Sequence, residues 1–125
     1  MLIKIYPLLA LLLTFTSCYE PQRDCNAFKN GEFTFTSIIN EKEVTSICIR
    51  NNNLEIDLFE GKIDSSSVRW INDCEYVVKK LNPKNKSEEK TIHMKILTTT
   101  DNSYTFEYNI VGDSNKSKGI AIKTN

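Results

Sequence analysis

The sequence predicts an all-β domain: an antiparallel meander of seven or eight short strands, curled into a barrel or half-barrel. Three observations carry this. Beyond Gly31, apolar residues alternate with polar ones at period two, the signature of a strand with one face buried. Turn-forming residues interrupt that alternation at short intervals. No segment of the mature chain shows a 3.6-residue apolar period, and every connection is short enough for a hairpin, whereas parallel strands need long crossovers.

The elements follow in order. Tyr19 to Asn30 is polar, holds Pro21 and has no sustained period, which reads as a spacer. From Gly31, Phe33 and Phe35 oppose Glu32, Thr34 and Thr36 across one strand. Val44 to Arg50 is rich in β-branched residues and stops at Asn51-Asn52-Asn53, whose side chains tolerate left-handed backbone. Leu54, Ile56 and Leu58 alternate with Glu55 and Asp57, which places the aliphatic side inward and the acids outward, up to a Glu60-Gly61-Lys62 turn. Ser67 to Lys80 is the longest β-like stretch; Ile71-Asn72-Asp73-Cys74 within it reads as a tight turn in preference to a bulge. After a polar loop from Leu81 to Glu89, Ile92, Met94 and Ile96 share one face, and Tyr104, Phe106 and Tyr108 repeat the pattern. Gly112 to Gly119 is a polar loop before a last short strand marked by Ile120 and Ile122.

Ahead of this domain stands a leader. Lys4 supplies a positive start, and the apolar run from Ile5 to Phe15 is shorter than the ~20 residues a spanning helix needs. Thr16 and Ser17 before Cys18 resemble a lipobox, in which the cysteine thiol receives a lipid before cleavage on its N-terminal side. The expected organisation is a cleaved signal peptide over 1–17, a lipidated tether and spacer over 18–30, and a single β-domain over 31–125. Phe15, where a leucine is usual, leaves ordinary secretory cleavage or an uncleaved anchor as alternatives. Acyl chains contribute about 0.8 kcal/mol per buried methylene, so a multiply acylated Cys18 would hold the domain at a membrane without any apolar patch of its own.

The chain of 125 residues carries 16 basic and 16 acidic side chains, and only Lys4 lies in the leader. That balance leaves no electrostatic footprint for nucleic acid. With Cys18 acylated, Cys25, Cys48 and Cys74 remain, which allows one bridge and one free thiol in an oxidising compartment. Of the three pairings, Cys25 with Cys74 is favoured, because Cys74 shares its strand face with Trp70, Tyr76 and Val78. Three buried free thiols is the plain alternative. No metal site is assigned, since there is no Cys-x-x-Cys pair and His93 is the lone histidine.

No catalytic residues and no cofactor are assigned. His93 lies in an alternating strand beside Thr91 and Lys95 and reads as a surface position; Ser65-Ser66-Ser67 lacks a Gly-x-Ser-x-Gly context. The carboxylate pairs Glu41/Glu43, Glu55/Asp57, Asp73/Glu75 and Glu88/Glu89 read as solvent faces of strands and loops, short of the cleft a glycosidase needs. Trp70, Tyr76, Tyr104, Phe106 and Tyr108 are the candidate ligand-binding residues, because a curled sheet would gather them on its inner face. Against this, a domain of this size needs most of its large apolar groups as core. Arg50 and Glu55 flank the Asn turn on adjacent strands and are expected to pair at a surface value of a few tenths of a kcal/mol. Lys79, Lys80, Lys84, Lys86 and Lys90 form a basic loop diluted by Glu88 and Glu89.

Cys25-Asn-Ala-Phe28-Lys-Asn-Gly31-Glu-Phe33, then Ile49-Arg50, Glu55, Trp70-Ile-Asn72-Asp73-Cys74-Glu75-Tyr76 and the closing Gly119-Ile-Ala-Ile run resemble a group of small Bacteroidetes lipoproteins of flavobacterial type. Some of that group carry the name DNA topoisomerase IV. A short, exported chain without a basic tracking surface or a nucleotide-binding glycine motif argues against such an activity here. The resemblance implies a cell-envelope lipoprotein. Only Glu20 and Asp24 follow Cys18 closely, short of the acidic cluster associated with surface export in that phylum, and Tyr19 is not the aspartate linked to inner-membrane retention. The expected place is the periplasmic face of the outer membrane. Two functions are expected: a non-catalytic accessory module that binds an envelope protein through a sheet edge or loop surface, or a lipocalin-like carrier of a small apolar ligand.

Overall fold

The computed structural model describes residues 22–125. The signal peptide over 1–17 and Cys18 lie outside the described residues. A 3-10 helix over Cys25–Phe28 leads into eight strands: β1 Gly31–Ile39, β2 Lys42–Asn51, β3 Leu54–Phe59, β4 Lys62–Asn72, β5 Glu75–Lys80, β6 Ile92–Thr99, β7 Ser103–Ile110 and β8 Ser117–Lys123. Each pairs antiparallel with the next, and β8 pairs back onto β1, from Phe33 against Lys123 to Ser37 against Gly119. The meander is therefore a closed eight-stranded barrel, and closure removes the free edges through which an open sheet recruits further strands.

Tight turns set the register. Asn40-Glu41 and Glu60-Gly61 both have positive φ at their two central residues, as a type I′ hairpin turn requires. The first aligns Phe33 with Cys48, Asn52-Asn53 aligns Cys48 with Asp57, and the third aligns Asp57 with Asp64. Because side chains alternate at period two, these four residues share the inner face. Here the structure departs from the sequence reading: Glu55 is buried and Asp57 faces inward, while Leu54 is 41% exposed on the outside. The serine run likewise lies inside β4, which begins at Lys62, and Ser66 is buried. The Asn72–Glu75 connection is both devices at once, a tight turn with a register shift between Trp70 and Asn72.

The interior is divided between two halves. One is filled by Phe28, Phe33, Val68, Tyr76, Ile96 and Tyr104, all at most 2% exposed, with Phe28 and Tyr104 edge to face at 5.1 Å. Residues 25–30, part of the expected spacer, are its lid. A disulfide joins Cys25 to Cys74 in the β4–β5 turn, as expected, and Lys123 Nζ donates to the Ala27 carbonyl at 2.9 Å. Arg23 Nη1 donates to the Ile96 carbonyl at 2.8 Å. Gly119 is required on β8, since a Cβ there would meet Phe106 Cζ at 2.5 Å and the Thr36 carbonyl at 2.8 Å. The other half of the barrel is hollow.

Candidate functional site

Arg50 stands at the boundary between the filled and hollow halves. It is 1% exposed; Nη1 donates to the Phe28 carbonyl at 2.8 Å, and Nη2 donates to the hydroxyls of Tyr76 at 2.8 Å and Tyr104 at 3.1 Å. Its guanidinium lies over the rings of Phe33 and Tyr76, at 4.8 and 4.7 Å. Burial works against its charge, but Tyr76, Tyr104 and Glu55 together outweigh burial and hold it protonated. Its Nε lies 3.5 Å from Glu55 Oε2. The pair is thus buried, so a surface value of a few tenths of a kcal/mol does not describe it; removing either partner leaves an uncompensated charge in the interior.

Glu55 carries the site into the hollow half. Cys48 Sγ donates to Glu55 Oε1 at 2.9 Å, while Oε2 accepts no hydrogen bond. Burial first, then the charge of Glu55, push the Cys48 thiol far above its usual range, so it stays protonated. Burial and then Glu55 push Asp57 up to about 7. Above this floor is a cavity of about 230 Å³, walled by Phe35, Val78, Ile92, Met94, Phe106 and Tyr108, with Ser37, Ile39 and Val44 towards its mouth. A second recess shares Asp57, Val78 and Ile92 with it and continues past Lys80 and Lys90. The wall is thinnest there, because β5 pairs with β6 only from Glu75 to Val78.

Of the five candidate ligand-binding residues, Phe106 and Tyr108 line the cavity. Tyr76 and Tyr104 are core, their hydroxyls on Arg50, and Trp70 packs on Tyr76 at 4.6 Å near the disulfide end. These three are corrected to the closed half: they form the packed base on which the site rests. Burial raises both tyrosines above the usual phenol range. Glu55 and Asp57, read from sequence as solvent-facing, are the polar floor instead. His93 stays at the surface, with Nε2 3.2 Å from Glu75 Oε1; Asn72 first, and His93 after it, hold Glu75 below the usual carboxylate range. In the basic loop, Lys80 is held by Glu88 at 2.9 Å and Asp64 at 3.5 Å.

Cys48, Glu55 and Asp57 bring a thiol and two carboxyl groups within 4.8 Å of one another, the set among the described residues that a metal ion could share. Its present arrangement is built around a proton and a guanidinium: the thiol is protonated on Glu55, and Arg50 faces the same carboxyl. What the site offers chemically is a small apolar chamber with two hydrogen-bonding acids at its base. By sequence, the chain matches no protein-family model and no curated protein.

Proposed function

We propose that the protein is a carrier of the cell envelope, lipid-anchored through Cys18 at the periplasmic face of the outer membrane, which takes a small, largely apolar ligand into the hollow half of its barrel. The observation that carries this reading is the cavity itself. An eight-stranded barrel is just wide enough either to be filled by side chains or to hold one small ligand. Here the chain fills one half with aromatics and leaves about 230 Å³ of apolar-walled space in the other. At ~30 Å³ per heavy atom, the liquid-water value, that is room for about eight heavy atoms, or for the end of a longer chain reaching in through the mouth. No catalytic step is assigned to the site.

Native mass spectrometry of protein purified from its own cells tests this. The expected result is a mass above that of the processed chain by one small adduct, released on unfolding; a bare mass would remove the carrier. A second reading, an accessory module without cargo, is supported by an outward apolar row in adjoining register: Ile122 beside Thr34, then Ile47, Leu58 and Ile63. It expects a bare mass together with a stoichiometric envelope protein. For the anchor, labelling with a fatty-acid analogue should mark the wild type and not Cys18→Ala.

A further inference from the structure

The cavity lining holds acids and no base. Glu55 and Asp57 are its charged residues; Arg50 lies beneath the floor, on Phe28, Tyr76 and Tyr104 with its Nε 3.5 Å from Glu55, while Lys80, held by Glu88 and Asp64, and Lys90 belong to the adjoining recess. An ionised carboxyl can accept about four hydrogen bonds through its two oxygens. Glu55, with a side chain only 5% exposed, accepts one, from Cys48, and its Oε2 has none. Arg50 Nε compensates its charge from one side at 3.5 Å without closing a hydrogen bond, so the carboxyl keeps lone pairs free for a further donor. Water can supply one hydroxyl, but the walls above are hydrocarbon and aromatic, so the group that satisfies both floor and walls is an amphipath with a donor head.

We propose that the cavity is selective for small primary amines, the ammonium group donating to Glu55 and Asp57 while a short hydrocarbon tail lies against Phe35, Met94 and Phe106. The inference rests on the carrier reading and names its cargo class. Charge decides the class: an ammonium head meets two acids, of which Arg50 compensates Glu55 and leaves Asp57 to the ligand, whereas a fatty acid would bring a third carboxyl to the same floor. A hydroxyl also makes a charge-assisted hydrogen bond to an ionised carboxyl, but an ammonium adds the attraction of opposite charges and carries three donors.

Binding of the cation competes with the proton on Asp57. The groups that face Asp57 are Cys48 and Arg50 from β2, Glu55 on its own strand, Asp64 from β4, and Lys80, Glu88 and Lys90 around the adjoining recess. A simple alkylamine stays cationic across neutral pH, so its affinity should climb as Asp57 loses its proton and level off above about 7.

Calorimetric titration of the purified intact protein with hexylamine, hexanol and hexanoate at pH 8 separates the possibilities. Hexylamine should bind about tenfold more tightly than hexanol, through the attraction between opposite charges that hexanol lacks, and hexanoate should bind most weakly. Asp57→Asn should bring hexylamine close to hexanol, and so should lowering the pH of the wild type to 5.5, an arm that does not depend on how the variant folds. Hexanol binding as tightly as hexylamine would overturn the amine assignment and leave the carrier standing. Binding of none of the three overturns both.

Discussion

Arg50 holds a full charge, almost wholly buried, among Phe33, Tyr76 and Tyr104, because three hydrogen-bond acceptors and the facing Glu55 carboxyl take the place of its hydration. Replacing it by methionine, similar in length and apolar, strands Glu55 and the Phe28 carbonyl. Arg50→Met should therefore lose about 3–5 kcal/mol of stability in urea denaturation. Asp57 makes the opposite kind of statement. Its folded-state pKa of about 7 lies above the ~3.9 of an unfolded aspartate, so between those values the native chain holds a proton that the unfolded chain has released. The contribution of Asp57 to stability should thus fall as pH rises from about 4 to about 7, at up to ~1.4 kcal/mol per pH unit, and flatten above. Asp57→Asn should lose that slope; a variant with the wild-type slope would locate the proton elsewhere. Both residues were visible in the sequence as types. Their burial was not, because the neighbouring Leu54, Ile56 and Leu58 make the opposite face look like the inner one.

At the level of the hairpins, register decides which face is inside. The turns at Asn52-Asn53 and Glu60-Gly61 were legible in the sequence, and counting across them from Cys48 leads to Asp57, then Asp64; the step from Phe33 to Cys48 crosses the Asn40-Glu41 turn, which was not. Parity counted from a sure core residue is the signal that apolarity alone obscured. In a barrel this small the outer face also carries aliphatics, and Ile47, Ile49 and Leu54 are each about two-fifths exposed. The β1–β2 turn bears a cost in this scheme. Glu41 sits at φ 64, where a side chain other than glycine or asparagine is disfavoured by about 1 kcal/mol. Glu41→Gly creates the Asn-Gly pair preferred in type I′ turns, and should raise the thermal midpoint with a gain of about that size.

Across the whole molecule, one end of the barrel is shut and the other open, and the lid at the shut end comes from the segment that precedes the first strand. The Cys25–Cys74 bridge closes a loop with a sequence separation of 49, which chain-entropy arguments value at about 4 kcal/mol. Reduction, or the pair Cys25→Ser with Cys74→Ser, should lower stability by about that amount and expose Tyr76 and Tyr104 to solvent quenchers. A loss below 1 kcal/mol would mean that the lid is held by Arg50, Lys123 and Phe28 without the bridge. The packed base also keeps the carboxyl floor in place, so the same variants should weaken any cargo affinity that wild-type protein displays.

Alternation, turn chemistry and cysteine placement, all local, were enough for the sequence by itself to determine an antiparallel all-β meander and to favour the Cys25–Cys74 pairing. Only the tertiary structure decided which half of the interior is solid and that two acids face inward. The physical reason is that burial is set by closure of β8 onto β1 and by register accumulated over several hairpins, sums over distant residues that no single stretch of sequence displays.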